Sequence, residues 1–279
     1  MSAKLMPQML TIKEWLEFAS KKLSLAGIPS HKLDAEILLA DSLGVEKTYL
    51  HAHPEYTINK SKHRLINKRL NQRLKRLPIA YILGKKEFYS RDFKVNKNTL
   101  IPRPESEAII DSLKNIIKNN DNIRLVDVGT GSGCLGITAK LEFPKINVTL
   151  LDKSSKALKI AHLNAKLLSA DVRIKKNDLL SKYKENLDII IANLPYVDKS
   201  WDISPETVYE PSLALFADDN GQCLIKKLIY QASGLLNDSG LLIIESDPIQ
   251  HEALINYSNK FNLKLLCKDN YVLTFSFTV

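Results

Sequence analysis

Asn193-Leu194-Pro195-Tyr196 is the stretch of this chain whose residue types and order point to the most specific chemistry. An asparagine carbonyl and nearby backbone carbonyls accept both hydrogens of an NH2 group, and a tyrosine face stacks on a flat amide or base. Proline presents its own carbonyl in a fixed direction and adds no competing N–H. An amide nitrogen shares its lone pair with its carbonyl and is a poor nucleophile. Holding its hydrogens against acceptors while the lone pair faces an electrophile supplies orientation and some charge stabilisation. Asn193, Pro195 and Tyr196 are therefore the candidate catalytic residues. The scheme needs no strong base, and none of the six histidines is obviously placed to be one.

Asp127-Val128-Gly129-Thr130-Gly131-Ser132-Gly133 is the second constellation. Glycines at alternate positions let the chain turn sharply and bring its backbone against a ligand, while a following helix start offers unpaired N–H groups. Gly129, Thr130, Gly131, Ser132 and Gly133 are candidate contacts for a nucleotide-like cofactor. Gly131, Gly133 and Gly136 also satisfy the G-x-G-x-x-G spacing of dinucleotide enzymes, so this motif alone leaves both classes open. Asp152 lies 19 residues beyond Gly133, at the end of an apolar run. A carboxylate there accepts hydrogen bonds from both hydroxyls of a ribose, or caps a helix that starts near Ser154. Asp178 sits where an adenine contact is expected, with Leu179 to cover the ring, and Asn193 borders the same cofactor. Asn-Asp pairs such as Asn177-Asp178 are also common in turns.

Elements that position these residues follow from periodicity. From Ile123 onward, strand and helix patterns alternate, the signature of an α/β domain with a parallel sheet. Strands are predicted at 123–129, 147–152, 171–174, 187–192 and 240–245, with helices at 134–142, 154–167, 222–236 and 249–260. The last two strands, 263–267 and 271–278, are separated by only Lys268-Asp269-Asn270 and must pair antiparallel. Seven strands with a reversed final hairpin are the arrangement of S-adenosylmethionine methyltransferases, whereas a plain dinucleotide-binding sheet is usually all parallel. Residues 1–77 instead show helical spacing, as in Ile12, Trp15, Leu16, Phe18 and Ala19, and read as a small helical domain. After Pro78, Ala80–Leu83 and Glu87–Val95 read as extended pieces around Gly84, making 78–104 a hairpin linker and 105–279 the second domain. Val197–Asn220 has no clear period, and a loop that long in a compact domain is often functional.

Composition narrows the setting. A 44% hydrophobic fraction and 7% aromatic fraction fit an ordinary globular protein. Residues 1–10 lack the features of a secretory signal and no apolar run reaches bilayer length, so a cytoplasmic protein with no membrane partner is expected. Cys134, Cys223 and Cys267 form no Cys-x-x-Cys pair, and His51-x-His53 has no further ligand at metal-binding spacing, so neither disulfides nor a metal is expected. The net charge of +9 resides between Tyr56 and Lys86, which hold ten Lys or Arg and no acid; the rest carries 30 basic against 31 acidic residues. Such a stretch is either a solvated helix face or a patch for an anionic partner such as RNA or an acidic protein surface.

The chain resembles the protein-glutamine methyltransferases, and among them the release factor glutamine methyltransferases. The resemblance covers nearly the whole length: the helical N-terminal part; Pro78-Ile79-Ala80-Tyr81-Ile82-Leu83-Gly84 with Glu87-Phe88; Ile101-Pro102-Arg103-Pro104-Glu105-Ser106-Glu107; Asp127 to Gly133; the Asn-x-Pro-Tyr motif; and Glu210-Pro211 with Ala214-Leu215. It implies a seven-stranded Rossmann-like class I S-adenosylmethionine methyltransferase domain beside a small helical domain. It further implies methylation of the glutamine amide in the Gly-Gly-Gln motif of class-one peptide chain release factors, giving N5-methylglutamine. In such enzymes residues matching the glycine motif and Asp152 hold S-adenosylmethionine, those matching Asn193, Leu194, Pro195 and Tyr196 grip the glutamine, Leu100 matches a pocket-lining position, and the helical domain helps to hold the release factor. The family usually has Asn-Pro-Pro-Tyr; Leu194 gives the form typical of ribosomal RNA adenine dimethyltransferases. Methylation of adenine in nucleic acid, or of a glutamine in a ribosomal protein, are the alternatives. The fifth strand of the family's sheet usually ends in Glu, an apolar residue and Gly, where this chain has Glu245-Ser246-Asp247-Pro248.

Overall fold

Thr11 opens the first helix through a reciprocal capping box: its side chain accepts from the Glu14 N–H, and Glu14 accepts from the Thr11 N–H. The computed structural model describes residues 10–117 and 122–278. Its first helix is α1 (Ile12–Leu25), followed by α2 (His31–Leu43), α3 (Lys47–Ala52), α4 (Lys60–Leu74) and the short α5 (Ile79–Leu83). Ile12, Trp15, Ala19 and Leu23 form the buried stripe of α1 and pack with Leu38, Leu39, Ile66 and Leu70, while Phe18, Leu33 and Leu65 face solvent.

Much of the basic stretch is spent inside this helical unit. Arg73 Nε donates to Asp34 Oδ2 at 2.7 Å, with both side chains 7% exposed. Arg69 meets Asp41 at 2.8 Å. Lys62 donates to the Ser42 carbonyl at 2.6 Å, and Arg76 donates to the Ala26 and Gly27 carbonyls at 2.9 Å each. Cations on or just past α4 thus tie it to the first two helices and their connection.

Ala80–Leu83, predicted as extended, is instead the body of α5. Ile79, Ile82 and Leu83 recur at helical spacing and pack on the helical core, and Gly84 ends the turn with φ of 73°. The hairpin is displaced from the one predicted around Gly84: Glu87–Val95, predicted as one extended piece, itself contains the turn, and β1 (Lys85–Phe88) pairs antiparallel with β2 (Arg91–Lys94). Tyr89 and Ser90 form its turn with φ of 50° and 59°, the paired left-handed conformation of a tight hairpin. The chain divides into two compact units at Gly84, within the 78–104 stretch expected as a linker.

The second unit continues with α6 (Glu107–Ile116), β3 (Arg124–Val128), α7 (Cys134–Glu142), β4 (Asn147–Asp152), α8 (Ser155–Leu167), β5 (Arg173–Lys176), β6 (Leu187–Ala192), α9 (Cys223–Ser233), β7 (Leu236–Glu245), α10 (His251–Ser258), β8 (Leu263–Asp269) and β9 (Val272–Phe277). The sheet order is β5-β4-β3-β6-β7-β9-β8, parallel throughout except for β9, which runs antiparallel to both neighbours. This is the predicted seven-stranded sheet with its reversed hairpin. Alternation divides the core: Leu125, Ile189, Ile191 and Ile243 pack with α6, α7 and α8, while Val126, Ile190, Leu242 and Ile244 pack with α9 and Leu254 of α10. Helix α6 was not anticipated, although Ile109, Ile110 and Leu113 carry its spacing and are buried.

Arg73→Ala strands the buried Asp34 carboxylate, and the helical unit should lose about 3–5 kcal/mol. Denaturant unfolding followed by the fluorescence of the buried Trp15 measures this; an unshifted transition would show that Asp34 finds other compensation.

Candidate active site

At the carboxyl edge of the sheet the strand order reverses between β3 and β6, opening the crevice in which α/β folds bind ligands. Val128 is paired with Leu151 on one side and Ala192 on the other, so the loops that follow β3, β4 and β6 begin level with one another. The glycine loop, Asp152 and the Asn193 motif therefore share one edge.

Two carboxylates hold the glycine loop. Asp127 Oδ2 accepts from Thr130 Oγ1 at 2.5 Å and from the Gly136 N–H at 2.9 Å. Asp152 Oδ2 accepts from the Gly131 N–H at 2.9 Å, and its Oδ1 accepts from the Ser154 N–H at 2.7 Å. Asp152 thus braces the glycine loop and the start of α8 together, while Ser154 supplies the helix cap itself. Asn164, fully buried on α8, donates to the Ser132 carbonyl at 2.8 Å and fastens the loop to β2 through Lys94. Gly136 is needed for packing: a Cβ there would lie 2.2 Å from Leu150 Cδ2. Burial pushes the Asp127 carboxyl up to about 6, against the hydrogen bonds from Thr130 and Gly136, and burial also raises Asp152.

Asp178 and Leu179 occupy the turn after β5. The Asp178 carboxylate is half-exposed and lies 3.5 Å from Lys227 and 3.8 Å from Lys153. Leu179 takes φ of 51°, uncommon for leucine, and its side chain joins the core cluster around Val126 and Leu228.

Leu100, Asn193, Leu194, Pro195 and Tyr196 are brought together in the lining of one open cleft of about 570 Å³, with Arg103, Thr207, Leu215, Phe216 and Glu245. Leu194 is 4% exposed and fills the space that a side chain on Gly129 would need, its Cδ2 standing 2.7 Å from that imagined Cβ. The Tyr196 carbonyl accepts from Gln250 Nε2 at 2.8 Å beside Gly221, where a Cβ would fall 1.9 Å from that carbonyl oxygen. The Tyr196 hydroxyl donates to Glu245 Oε1 at 2.9 Å; burial and the Glu245 charge push its pKa up, so it stays protonated.

The loop over the cleft is pinned by Glu210, which is buried. Its Oε2 accepts from the Ile101 N–H at 3.0 Å and its Oε1 from Arg103 at 2.5 Å. Ser106, Glu210, Glu245 and Asn164 were not singled out as site residues from sequence. Ile-Pro-Arg-Pro and Glu-Pro were visible as motifs; that they clasp each other was not.

Two family descriptions match the chain: the PrmC N-terminal domain over residues 14–84 and the methyltransferase small domain over residues 106–210. The release factor glutamine methyltransferase of Koribacter versatilis is 36% identical over 260 residues, covering 90% of this chain and 92% of that one. Its counterpart in Leptospira interrogans is 38% identical, with 88% of each chain covered. The chain belongs to the release factor glutamine methyltransferase family. Among solved structures, a methyltransferase from Pyrococcus furiosus shares the fold with a TM-score of 0.53 at 17% identity, covering 79% of this chain and 100% of that one.

The methyl donor of this family member is S-adenosylmethionine, and the glycine loop fits it. Gly131 has φ of 56°, and in the direction of a Cβ the nearest heavy atom lies 3.9 Å away, leaving room for a ligand against the backbone. Asp127 Oδ1 is buried without a hydrogen-bond partner among the described residues, a negative site suited to a cationic group. When bound, the cofactor supplies a methyl group on a positively charged sulfur. Burial also pushes the Cys134 thiol, at the start of α7, up to about 12, which removes it as a competing thiolate nucleophile.

The raised pKa of Asp127 has a definite sign in stability. Its contribution is complete below the ordinary value of 3.8 and is lost as pH rises through about 6, a fall of about 3 kcal/mol. Denaturant midpoints of the cofactor-free protein should show Asp127→Asn gaining on the parent between pH 4 and pH 7; a gap that does not change with pH would mean an unperturbed carboxyl.

Proposed function

We propose that this chain transfers the methyl group of S-adenosylmethionine to the side-chain amide nitrogen of the glutamine in the Gly-Gly-Gln motif of class-one peptide chain release factors, in the cytoplasm. The observation that carries the reading is the juxtaposition, at the sheet's switch point, of the glycine loop with the Asn193 motif, Leu194 filling the space above Gly129. The glycine loop would hold the cofactor, which would supply the methyl group beside the cleft that Asn193, Pro195 and Tyr196 line.

In this reading Asn193 and the backbone carbonyls accept the two amide hydrogens, and the Tyr196 ring covers the amide plane. The bound cofactor would supply the methyl group to the glutamine nitrogen, its carbon–sulfur bond breaking as the nitrogen–carbon bond forms, and the nitrogen would give up one N–H proton to water. Charge that develops on the nitrogen is met by acceptors already in place. Leu100, Arg103 and the Glu210-pinned loop shape the approach to the cleft.

The adenine reading rests on Leu194 and the basic stretch. Leu194 is largely a core side chain, and Lys62, Arg69, Arg73 and Arg76 are engaged within the helical unit. Leu194 and these four cations thus have structural employment that needs no nucleic acid.

Tritiated S-adenosylmethionine, offered with release factor, ribosomal protein and ribosomal RNA in one tube, decides among these. Label on the release factor that disappears when its motif glutamine is replaced supports the proposal; label on RNA or ribosomal protein overturns it. Asn193→Ala should lower kcat about 100-fold or more while calorimetric affinity for the cofactor stays within about threefold. Retained turnover would place the amide site elsewhere.

A further inference from the structure

Beneath the cleft lies a short polar chain that joins residues of three separate sequence motifs. Glu245 ends β7 and is 1% exposed; Ser106, in the turn before α6, is 2% exposed. Ser106 Oγ donates to Glu245 Oε2 at 2.5 Å, and Asn193 Nδ2 donates to the same Ser106 oxygen at 2.8 Å. The other carboxylate oxygen, Oε1, takes the Tyr196 hydroxyl. One buried acid is thus joined to both polar side chains of the Asn-x-Pro-Tyr motif.

We infer that Glu245, acting through Ser106, is the positioning residue that fixes which end of the Asn193 amide faces the substrate. The inference rests on the proposed reading of the cleft as a glutamine-amide site. The reasoning is a count of donors. An ionised carboxylate only accepts. Ser106 has a single hydroxyl hydrogen, which Glu245 takes, so toward Asn193 its oxygen can only accept. Asn193 must therefore turn its NH2 to Ser106, and its Oδ1 is left for the cleft. This order follows from the chemistry of the three groups, independently of how an amide is assigned.

The opposite order would present an NH2 donor to the substrate's own NH2, two donors with no acceptor between them. It would also withdraw the acceptor on which charge stabilisation at the glutamine nitrogen depends. Burial, with the nearby Glu105 charge, pushes the Glu245 carboxyl up, while the hydrogen bonds from Ser106, Tyr196 and Asn193 pull it down. In the geometry itself the Ser106 and Tyr196 hydroxyls each donate to one of its two oxygens.

The test compares Ser106→Thr, Ser106→Val and Glu245→Gln in the full chain, with release factor as substrate. Thr and Val have the same shape and differ only in the hydroxyl, so any packing change is common to both. Gln keeps the volume of Glu but adds a donor arm, which must be turned toward either Ser106 or Tyr196. Ser106→Val and Glu245→Gln should each lower kcat about tenfold or more, with KM for the release factor and calorimetric cofactor affinity within about threefold. Ser106→Thr should stay within about threefold of the parent in all three. Ser106→Val turning over like Ser106→Thr, or Glu245→Gln at the parental kcat, would overturn the inference. A parent enzyme that leaves release factor unlabelled would instead overturn the reading beneath it, so the two failures are told apart.

Discussion

The reversal of strand order between β3 and β6 is the constraint on which the site depends. Parallel strands on either side of that point send their crossover helices to opposite faces of the sheet, α7 and α8 to one and α9 to the other. Among the described residues no helix therefore crosses the carboxyl ends of β3 and β6, and a crevice is left there. Everything chemically specific in the chain follows one of its walls: the glycine loop after β3, Asp152 ending β4, the Asn193 motif after β6 and Glu245 ending β7. Leu194 settles over Gly129, where a left-handed φ of 75° favours glycine and a Cβ would press on Leu194 Cδ2.

Loops at such an edge have lost the ladder that orders the strands, and here acids replace it. Asp127 and Asp152 take up N–H groups of the glycine loop and of α7 and α8, and Glu210 takes the Ile101 N–H and the Arg103 guanidinium. Burying carboxylates is costly, as the raised pKa values of Asp127, Asp152 and Glu245 record. A buried acceptor is also directional: it accepts from fixed donors and from nothing else, which gives loops without regular structure a single arrangement.

How legible this was from sequence follows the range of the interactions. Helix 134–142 and strands 147–152 and 187–192 stand where periodicity placed them, because each buries one face or both faces against the sheet core. Strand 171–174 lies two residues further on, at Arg173–Lys176, an edge strand whose exposed residues give periodicity little to read. Ala80–Leu83 was misread because Ile79, Ile82 and Leu83 are equally an apolar run and a helical face, and only the helical core they pack on decides between them. Asn193, Tyr196 and Leu100 were visible because a motif or a resemblance carries them. Ser106 and Glu245 stood in motifs too, but their partnership was not legible, since it arises only when residues 87 and 139 positions apart are brought within hydrogen-bonding distance.

The charge pattern teaches the converse. Ten cations in a window without an acid suggest a surface waiting for an anion, yet Arg73 is buried against Asp34, and Lys62 and Arg76 bond backbone carbonyls. The acidic and carbonyl partners of these residues lie outside the window, on the first two helices or at their ends, so part of the local excess is met in space. Arginine suits that use because its planar fork serves several acceptors at once. A run of like charge therefore measures what a segment must find in three dimensions, and here the fold itself supplies partners for Lys62, Arg69, Arg73 and Arg76.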